Sequence, residues 1–436
     1  MPKNRIETFR TNLKSYQPNL VAKGKLVRVT GMLLEAVGCQ TNLGGVCRIE
    51  DGENSAEAEV VGFESDRIFM MPVGNLGRFR PGASVVPMPD KTIGVGDAYL
   101  GRVIDGNGEP LDGRGPIEPD SYVPVTPPTI NPLHRKPISE VLDTGIVAIN
   151  SFMTVGRGQR LGLFAGSGVG KSVLLGMMTR YTEAEVIVVG LIGERGREVQ
   201  EFIEQILDEK GLSRAIVVAA PADDSPTMKI RASFLATRLA EYYRDQGKQV
   251  LLLMDSLTRF AQAQRQISLA VGEPPSTKGY PPSVFAKVPE LVERAGNGIE
   301  GGGSITAFYT VLAEGDDVQD PVADSARAIL DGHITLSRSL AESGHYPAID
   351  IEASVSRTMP NIVPKEHLAL AQRFRQVYSK YRHNEDLITV GAYSSGADAD
   401  VDYAVERFPQ MQKFLQQGIH EGLRLKDSLE RLQHIF

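Results

Sequence analysis

The sequence predicts an α/β fold, in which a parallel sheet with crossover helices follows a small β-barrel and precedes a helical domain. Three patterns support this prediction. Short β-rich runs separated by glycine-containing turns occupy residues 20–90, and from about residue 154 apolar runs alternate with helical patterns. After Pro364 the pattern is mostly helical. With 436 residues the chain is too long for one core, so we expect separate domains.

The first 18 residues form a short amphipathic pattern, which Pro18 ends. Its apolar positions lie at helical spacing, at Ile6, Phe9, Leu13 and Tyr16. Such a segment is usually a docking helix or a packed arm, and this one is too short and too weakly basic for a membrane anchor. We therefore treat residues 1–18 as a separate amphipathic segment.

The next predicted domain spans residues 19–90. Its strand candidates are 25–30, 45–50 and 56–61. Their spacing suggests a small β-barrel. Cys39 and Cys47 lie in strand-like sequence, where we expect small buried hydrophobes rather than metal or redox groups. The proline-rich stretches 81–89 and 116–132 are expected to be connections.

A parallel sheet is predicted within residues 91–360 and a helical domain within residues 361–436. The strand candidates of the sheet are 161–164, 186–192, 215–220, 249–254 and 304–312. They are rich in leucine and β-branched residues without alternation, as expected for strands covered on both faces. In the helical domain, a helix is predicted by the apolar stripe Phe414, Leu415, Ile419 and Leu423.

A glycine-rich turn connects the first strand candidate of the sheet to a helical pattern. Residues 164–172 read Phe-Ala-Gly-Ser-Gly-Val-Gly-Lys-Ser. The glycines let backbone N–H groups converge on anionic oxygens, and the helix adds its positive dipole end. Lys171 can reach the β- and γ-phosphates of a nucleotide, and the Ser172 hydroxyl can bind Mg²⁺. The first glycine of the usual motif is replaced by Ala165, which a tight turn tolerates if its φ is negative.

Hydrolysis of a triphosphate also needs a carboxylate beside the metal, a group that orients water, and positive charge near the transition state. Asp255 ends an apolar strand, so it can hold a Mg²⁺-bound water, although it could instead cap the next helix. Glu194 could polarise the attacking water, and Arg195 could brace a phosphate or Glu194 itself. Both charges could equally belong to a solvated helix start, and spacing alone leaves that choice open.

Three further residues carry weaker local signals. Arg357 follows a serine-containing stretch, where an arginine is usually a surface residue or an ion-pair partner. Tyr346 and Tyr393 lie in loops beside proline or glycine, and such tyrosines are more often packing residues than platforms for a base.

The composition limits the classes of function. A net charge of −7 argues against sequence-independent binding of nucleic acid, so we expect no nucleic-acid partner. No apolar run approaches the roughly 20 residues of a membrane helix. The N-terminus lacks the apolar region of a signal peptide, so we expect a cytoplasmic protein.

Several longer motifs resemble the catalytic subunits of the rotary ATP synthase and type III export ATPase superfamily. They occupy residues 100–108, 165–172, 193–198, 282–285, 316–321 and 347–357. Within that superfamily, the chain is most similar to the flagellum-specific export ATPases, on the evidence of residues 163–178, 414–418 and 432–436. The resemblance runs from about residue 20 to the last residue. It implies a RecA-like fold for the sheet and Mg²⁺-dependent hydrolysis of ATP.

The resemblance also implies roles for individual residues. Lys171 would bind the β- and γ-phosphates, while Ser172 and Asp255 would hold Mg²⁺. Glu194 would be the general base that activates water, with Arg195 beside it at the γ-phosphate. The other implied nucleotide contacts are the loop residues Ala165, Gly166, Ser167, Gly168, Val169, Gly170 and Val173, the weaker phosphate-side candidate Arg259, and Tyr346 and Tyr393 against adenine.

Arg357 would be an arginine finger that reaches into a neighbouring subunit. Because one chain carries both this arginine and Glu194, identical copies could complete every site, which implies a homohexamer. Residues 1–18 would contact a stator-like regulator dimer, and the loop around 316–321 would face a stalk-like coiled coil in the ring pore. The C-terminal helices would receive export chaperones and unfolded cargo. The protein would be cytoplasmic and peripherally attached to the inner membrane, at the export gate of the flagellar base.

Three alternatives remain at this point. One is the injectisome ATPase of a virulence secretion system, whose catalytic core is almost the same. Another is a hexameric RNA translocase, which would need aromatic stacking platforms near its N-terminus. Residues 20–90 contain only Phe63, Phe69 and Phe79 as aromatics, which disfavours it. The last is a non-catalytic nucleotide-binding subunit, which usually lacks the carboxylate found here as Glu194.

Overall fold

The computed structural model describes residues 22–74, 77–207, 211–312 and 320–436. Contacts divide the chain into two compact units, one that ends at Lys91 and one that comprises Thr92–Phe436. The amphipathic segment 1–18 and most of the loop around 316–321 lie outside the described residues. Of the helices in the described ranges, none is long and apolar enough to cross a bilayer.

The first unit is a closed antiparallel barrel, as the sequence predicts. Its strands are β1 (Gly24–Thr30), β2 (Leu33–Val37), β3 (Val46–Asp51), β4 (Asn54–Glu64), β5 (Arg67–Pro72) and β6 (Ser84–Pro87). They pair in the order β1-β2-β5-β4-β3-β6, and β6 closes the barrel against β1. The prediction that 81–89 is a connection is therefore wrong for β6. The strand tolerates Pro87 because a proline at the end of a strand removes only one ladder hydrogen bond.

The barrel has its own apolar core, which includes both cysteines. Cys39 and Cys47 are buried free thiols. Burial raises the pKa of the Cys47 thiol to about 11 and raises that of Cys39 as well. Thiols with a raised pKa are poor nucleophiles, so the packing role expected from the sequence fits their surroundings.

The second unit contains the predicted parallel sheet. Its strands are β7 (Thr92–Val95), β8 (Val103–Ile104), β9 (Ser121–Pro124), β10 (Val141–Leu142), β11 (Val155–Gly156), β12 (Arg160–Ala165), β13 (Val186–Ile192), β14 (Ala215–Ala220), β15 (Gln249–Asp255), β16 (Gly296–Asn297), β17 (Ser304–Leu312), β18 (Gly332–Leu336) and β19 (Ile349–Ser356). The main sheet has the order β19-β18-β12-β17-β15-β13-β14-β8, with β16 paired to β17. The stretch 116–132, predicted to be a connection, contains β9, whose backbone pairs with β7.

Helices cover the sheet and form the C-terminal region. They are α1 (Val147–Phe152), α2 (Lys171–Tyr181), α3 (Gly196–Glu201), α4 (Pro226–Asp245), α5 (Leu257–Ala270), α6 (Pro282–Val292), α7 (Pro321–Ile329), α8 (Arg338–Glu342), α9 (Met359–Ile362), α10 (Lys365–Thr389), α11 (Ala399–Leu415) and α12 (Leu425–Gln433). Helix α11 ends at Leu415, so the helix predicted to continue through Ile419 and Leu423 is wrong there. Gly418 disfavours helix, and the N–H of Gln417 bonds outside the helix.

The sheet has two chemically different edges. Strands β12, β17, β15, β13 and β14 are parallel, so their C-terminal ends form one edge, which we call the carboxyl edge. Their N-terminal ends form the amino edge. Strand β19 runs antiparallel to β18, and its last residue, Ser356, pairs with Gly332 at the start of β18. The end of β19 therefore lies at the amino edge.

One hydrophobic core runs from the sheet into the C-terminal helices. It includes Leu163 of β12, Leu175 of α2, Phe374 of α10, Met411 of α11 and Leu432 of α12, all of them buried. Because this core is shared, the C-terminal helices pack on the elements that carry the glycine-rich turn. The predicted domain boundary between residues 360 and 361 stays a prediction.

Candidate active site

The turn between β12 and α2 has a backbone suited to anion binding. Gly168 and Gly170 have φ angles of 79° and 89°, which side chains disfavour. Gly170 is the N-cap of α2, whose first N–H groups have no partner within the helix. Among the described residues other than glycine, positive φ occurs at Ser65 and Lys278 alone. Ala165 therefore meets the condition under which it can replace the first glycine of the motif.

The other residues of the turn differ in their exposure. Val169 is buried and anchors the turn, while Ser167 is exposed and Gly166 partly so. Ser172 and Val173 follow in the first turn of α2, where both remain accessible to solvent. The turn is thus fixed at one point and open toward a ligand elsewhere.

Four adjacent strands bring polar side chains together at the carboxyl edge. Lys171 is the first residue of α2, after the turn that follows β12, and its Nζ lies 2.6 Å from Oδ1 of Asp255 and 3.1 Å from Oε1 of Glu194. Asp255 ends β15, and Glu194 follows β13. The hydroxyl of Thr310, on β17, donates to the same Asp255 oxygen at 2.6 Å. We call these four residues the Lys171 cluster.

The cluster is largely withdrawn from water. The side chains of Lys171, Glu194 and Asp255 are 11%, 15% and 3% exposed. Burial lowers the pKa of Lys171, but attraction by the two carboxylates outweighs it, so the pKa is raised overall. Burial raises the pKa of Asp255, the bond to Lys171 opposes this, and repulsion by Glu194 adds to it. Two carboxylates and one ammonium carry a net charge of −1, so the ionised cluster can take up a further cation.

Sequence reasoning missed Thr310, although a signal for it exists. It lies near the C-terminal end of the predicted strand 304–312, the same kind of position that identified Asp255. A lone threonine inside an apolar strand usually fits there as a β-branched residue, so only its bond to Asp255 reveals its place in the cluster.

Two predicted phosphate-side arginines lie beside the cluster in different ways. Arg195 precedes α3 with a side chain that is 83% exposed and lies 3.8 Å from Glu198, so it is outside the cluster here. Arg259 packs against Gly193, where a Cβ would lie only 2.8 Å from the Arg259 Cβ. Its Nη1 donates to Gln262, while its buried Nε has no hydrogen-bond partner among the described residues.

Arg357 lies at the opposite edge of the sheet. It follows β19 and is exposed, and its N–H donates to the carbonyl of Asp331, which itself bonds to Arg160 at the start of β12. The glycine-rich turn begins after Ala165, five residues further along the same strand. At 3.3 Å per residue this separates Arg357 from the turn by about 17 Å. Arg357 cannot complete the Lys171 cluster of its own chain.

The two predicted base-contacting tyrosines lie in different places. The ring of Tyr346 is 46% exposed and lies against the turn, since a Cβ on Gly170 would be 3.5 Å from it. Tyr393 lies in the connection between α10 and α11, where its hydroxyl is 2.9 Å from Oδ1 of Asp402. The structure therefore brings Tyr346 to the turn, whereas the described hydrogen bonds of Tyr393 are to its own connection and to the flanking helices α10 and α11.

Comparison with known proteins gives a consistent family. Residues 145–356 match the ATP synthase alpha/beta family, nucleotide-binding domain, and residues 363–434 match the T3SS EscN ATPase C-terminal domain. The flagellum-specific ATP synthase of Pseudomonas aeruginosa is 60% identical over 433 residues, which cover 98% of this chain and 96% of the relative.

Two solved structures resemble this one over almost their whole length. The assembled ATPase EscN of the enteropathogenic E. coli type III secretion system has a TM-score of 0.89 and 41% identity, with 94% of this chain and 99% of that chain covered. EscN in complex with its central stalk EscO has a TM-score of 0.87 and 40% identity, with the same coverage. This chain therefore belongs to the family of flagellum-specific and type III secretion ATPases, and it is an enzyme that hydrolyses ATP.

Proposed function

We propose that this chain hydrolyses Mg·ATP as a homohexamer, and that the hydrolysis serves protein export through a flagellar type III system. The observation that carries the proposal is the position of Arg357 at the amino edge, while Lys171 and Glu194 lie at the carboxyl edge. Each copy thus has both parts of an active site, at places that only two neighbouring copies can bring together.

In this proposal the triphosphate is bound by the Lys171 cluster and by the glycine-rich turn, which we call the phosphate turn. The N–H groups of residues 166–172 surround the β- and γ-phosphates, and Lys171 turns from its carboxylates to a phosphate oxygen. The buried position of Lys171 favours this exchange, because a charge-assisted bond is stronger where water is excluded. Arg259, with its unused Nε, and Arg195, after a rotation of its exposed side chain, are the proposed additional phosphate contacts.

The oxygen donors present fit Mg²⁺. Ser172 offers a hydroxyl in the first turn of α2, and Asp255 offers a carboxylate, both of which are hard ligands. In the described ranges no three His, Cys, Asp or Glu side chains are arranged to hold a metal by themselves. That fits an ion that is held by few protein ligands together with phosphates. When bound, Mg²⁺ would neutralise charge on the phosphate oxygens.

Glu194 is the proposed general base. Its Oε1 accepts a hydrogen bond from Lys171, and it becomes free when Lys171 turns to the phosphate. The freed carboxylate can then accept a proton from the attacking water. Arg357 of the neighbouring copy would stabilise the charge that develops on the γ-phosphate.

The adenine would lie against Tyr346, whose ring is already beside the phosphate turn. Tyr393 is the weaker candidate, because it would have to approach from the connection between α10 and α11. An aromatic face is a suitable partner for a base because stacking is favourable and does not need exact hydrogen-bond geometry.

The finer partners follow from the family. The solved EscN structures concern an assembled ATPase and its complex with a central stalk, and we propose a ring and a stalk-like coiled coil for this chain too. We further propose a stator-like dimer at residues 1–18, and export chaperones with unfolded cargo at the C-terminal helices. These partners would hold the protein peripherally at the inner membrane.

A mixing experiment tests the shared active site. Lys171→Ala and Arg357→Ala are each expected to lack activity. Mixed in equal amounts they should recover about a quarter of wild-type turnover, the share of random neighbours that unite an intact Lys171 with an intact Arg357. Mixing Lys171→Ala with wild type in the same ratio gives the reference curve, and Arg431→Ala, at an exposed arginine of α12, is the control. Rings that form without recovery would contradict the proposal.

The export function has a separate test in cells. Expression of this chain in Pseudomonas aeruginosa without its own flagellum-specific ATP synthase should restore swimming, since the two proteins are 60% identical. The Glu194→Gln variant should fail although it is expressed equally. Restoration of injectisome secretion without swimming would instead favour the virulence alternative, and ATPase activity stimulated by RNA would favour the translocase.

A further inference from the structure

The segment between α11 and α12, residues 416–424, is irregular but not loosely attached. The N–H of Gln417 donates to the carbonyl of Tyr346 at 3.0 Å, and the N–H of Leu423 donates to the carbonyl of Gly145 at 3.1 Å. We call residues 416–424 the connecting segment. It joins the C-terminal helices to the loop that carries Tyr346.

Gln417 is the most extensively bonded residue of the connecting segment and is 6% exposed. Its Oε1 accepts from the N–H of Val147 at 2.9 Å, and its Nε2 donates to the carbonyls of Gly145 at 2.8 Å and Glu421 at 2.6 Å. Val147 is the first residue of α1, whose N-terminal N–H groups have no partner within the helix. A side chain 270 residues away in sequence therefore caps α1.

The same segment also holds the far end of the helix that begins with Lys171. The hydroxyl of Tyr181 and Nη1 of Arg180, both in the last turn of α2, donate to the carbonyl of Ile419 at 3.1 Å each. A Cβ on Gly422 would lie 2.4 Å from the Tyr181 ring, so only glycine allows this close contact. The helix of the phosphate turn and the loop of Tyr346 are thus both attached to one short segment.

We infer that Gln417 is a positioning residue for ATP, which fixes the main chain of Tyr346 relative to the phosphate turn. The side-chain amide of Gln417 attaches the connecting segment to α1. This fixes the backbone N–H of Gln417, which donates to the Tyr346 carbonyl. The ring of Tyr346 is thereby kept beside Gly170. The inference rests on the proposed contact between Tyr346 and adenine. Gln417 would set the position of Tyr346 for this contact without touching the nucleotide itself.

The structure offers a matched control for Gln417. Asn150 of α1 is also a buried amide that bonds to the connecting segment, since its Nδ2 lies 3.3 Å from the carbonyl of Leu423 and 2.8 Å from Oδ1 of Asp143. Within the described ranges, it forms no hydrogen bond with Tyr346 or Gln417. Asn150→Ala should therefore destabilise the fold about as much as Gln417→Ala without releasing Tyr346.

The test compares Gln417→Ala, Asn150→Ala and Tyr346→Ala by steady-state kinetics and thermal unfolding. Gln417→Ala and Tyr346→Ala should each raise the KM for ATP about tenfold with a smaller change in kcat, since binding of the base is impaired and the chemistry is not. Inhibition by Mg²⁺-tripolyphosphate, which has no base, should be unchanged in both. Asn150→Ala should lower the melting temperature and leave the KM near the wild-type value.

The outcomes separate the two proposals. If Tyr346→Ala leaves the KM unchanged, the adenine contact is wrong and this inference is wrong with it. If Tyr346→Ala raises the KM and Gln417→Ala does not, only the inference is wrong. An equal rise in KM for Gln417→Ala and Asn150→Ala would also overturn it, because Gln417 would then act through stability alone. If Gln417→Ala does not fold, the isosteric Gln417→Glu, which keeps the acceptor for Val147 and loses the donor to Gly145, replaces it.

Discussion

The two edges of the catalytic sheet carry their charges differently. At the carboxyl edge, Lys171, Glu194 and Asp255 are nearly buried. The ammonium of Lys171 lies within 3.1 Å of a carboxylate oxygen of each acid, so the opposite charges are paired. At the amino edge, Arg357 is exposed, and within the described ranges its guanidinium bonds to the carbonyl of Arg327 rather than to a carboxylate. Buried charges need counter-ions of their own chain, whereas an exposed guanidinium stays hydrated until a partner arrives. The difference supports the proposal that the binding site is built within one copy and completed by Arg357 of another.

The largest expected effect tests the carboxyl edge. Lys171→Ala should lower turnover by about a hundredfold or more, because it removes the phosphate contact and leaves two carboxylates facing each other. The control is Lys248→Ala, since Lys248 precedes β15 at the amino edge and forms an exposed ion pair with Glu185 at 3.1 Å. The measurement is the rate of phosphate release at saturating ATP. Similar rates for the two variants would show that the carboxyl edge is no more important for turnover than the amino edge.

A second change separates binding from chemistry at the same edge. Glu194→Gln keeps the shape of the side chain and should lower kcat by about a hundredfold, because the amide cannot take a proton from water. Binding of a fluorescent ATP analogue should remain close to wild type. Glu185→Gln, at the amino edge, is the matched control. Normal turnover by Glu194→Gln would show that the general base lies elsewhere.

Two threonines on β17 allow the two edges to be compared by their effect on the pH dependence of activity. Thr310, at the carboxyl end of β17, donates to Asp255, whereas Thr306, nearer the amino end, accepts from the N–H of Gly158 at 2.9 Å. Thr310→Val removes a bond that lowers the pKa of Asp255, so burial raises that pKa further. The carboxylate is then lost at a higher pH as the solution is acidified.

The expected result is that the acid limb of kcat/KM moves to higher pH for Thr310→Val and stays in place for Thr306→Val. Each variant should also lose about 1 kcal/mol of unfolding free energy, the usual value of one hydrogen bond. Activity measured across a pH series, together with urea unfolding, distinguishes the two effects. Equal pH profiles for the two variants would show that Asp255 need not be ionised.

The smallest expected effect concerns stability at the amino edge. Arg357→Ala should change the unfolding free energy of the monomer by less than about 0.5 kcal/mol, because the side chain is exposed. Arg160, at the same edge, bonds to Asp331 and Glu293 with a side chain only 18% exposed. Arg160→Ala should therefore cost about 2 kcal/mol or more. A large loss of stability in Arg357→Ala would mean that this arginine is structural, which would weaken its proposed role in a neighbouring copy.

The sequence predicted best where the signal is local. The glycines of the phosphate turn are needed for their φ angles, and Asp255 follows an apolar strand, so both could be read from adjacent residues. Prediction failed where distant contacts overrule a local pattern. The proline-rich stretch 81–89 contains β6 because β1 and β3 offer it backbone partners. Ile419 continues a helical stripe, yet the helix ends earlier, because Gln417 bonds to Tyr346 and Ile419 itself bonds to α2.

By itself, the sequence determined the order of barrel, sheet and helices and the backbone conformation of the glycine-rich turn, because hydrophobic periodicity and glycine conformation act over a few residues. Only the tertiary structure decided that Thr310 joins the Lys171 cluster and that Gln417 holds the loop of Tyr346, since these contacts join residues far apart in the chain. It also decided the side on which Arg357 lies. That position follows from the antiparallel return of β19, and strand direction is set by packing rather than by the residues of the strand alone.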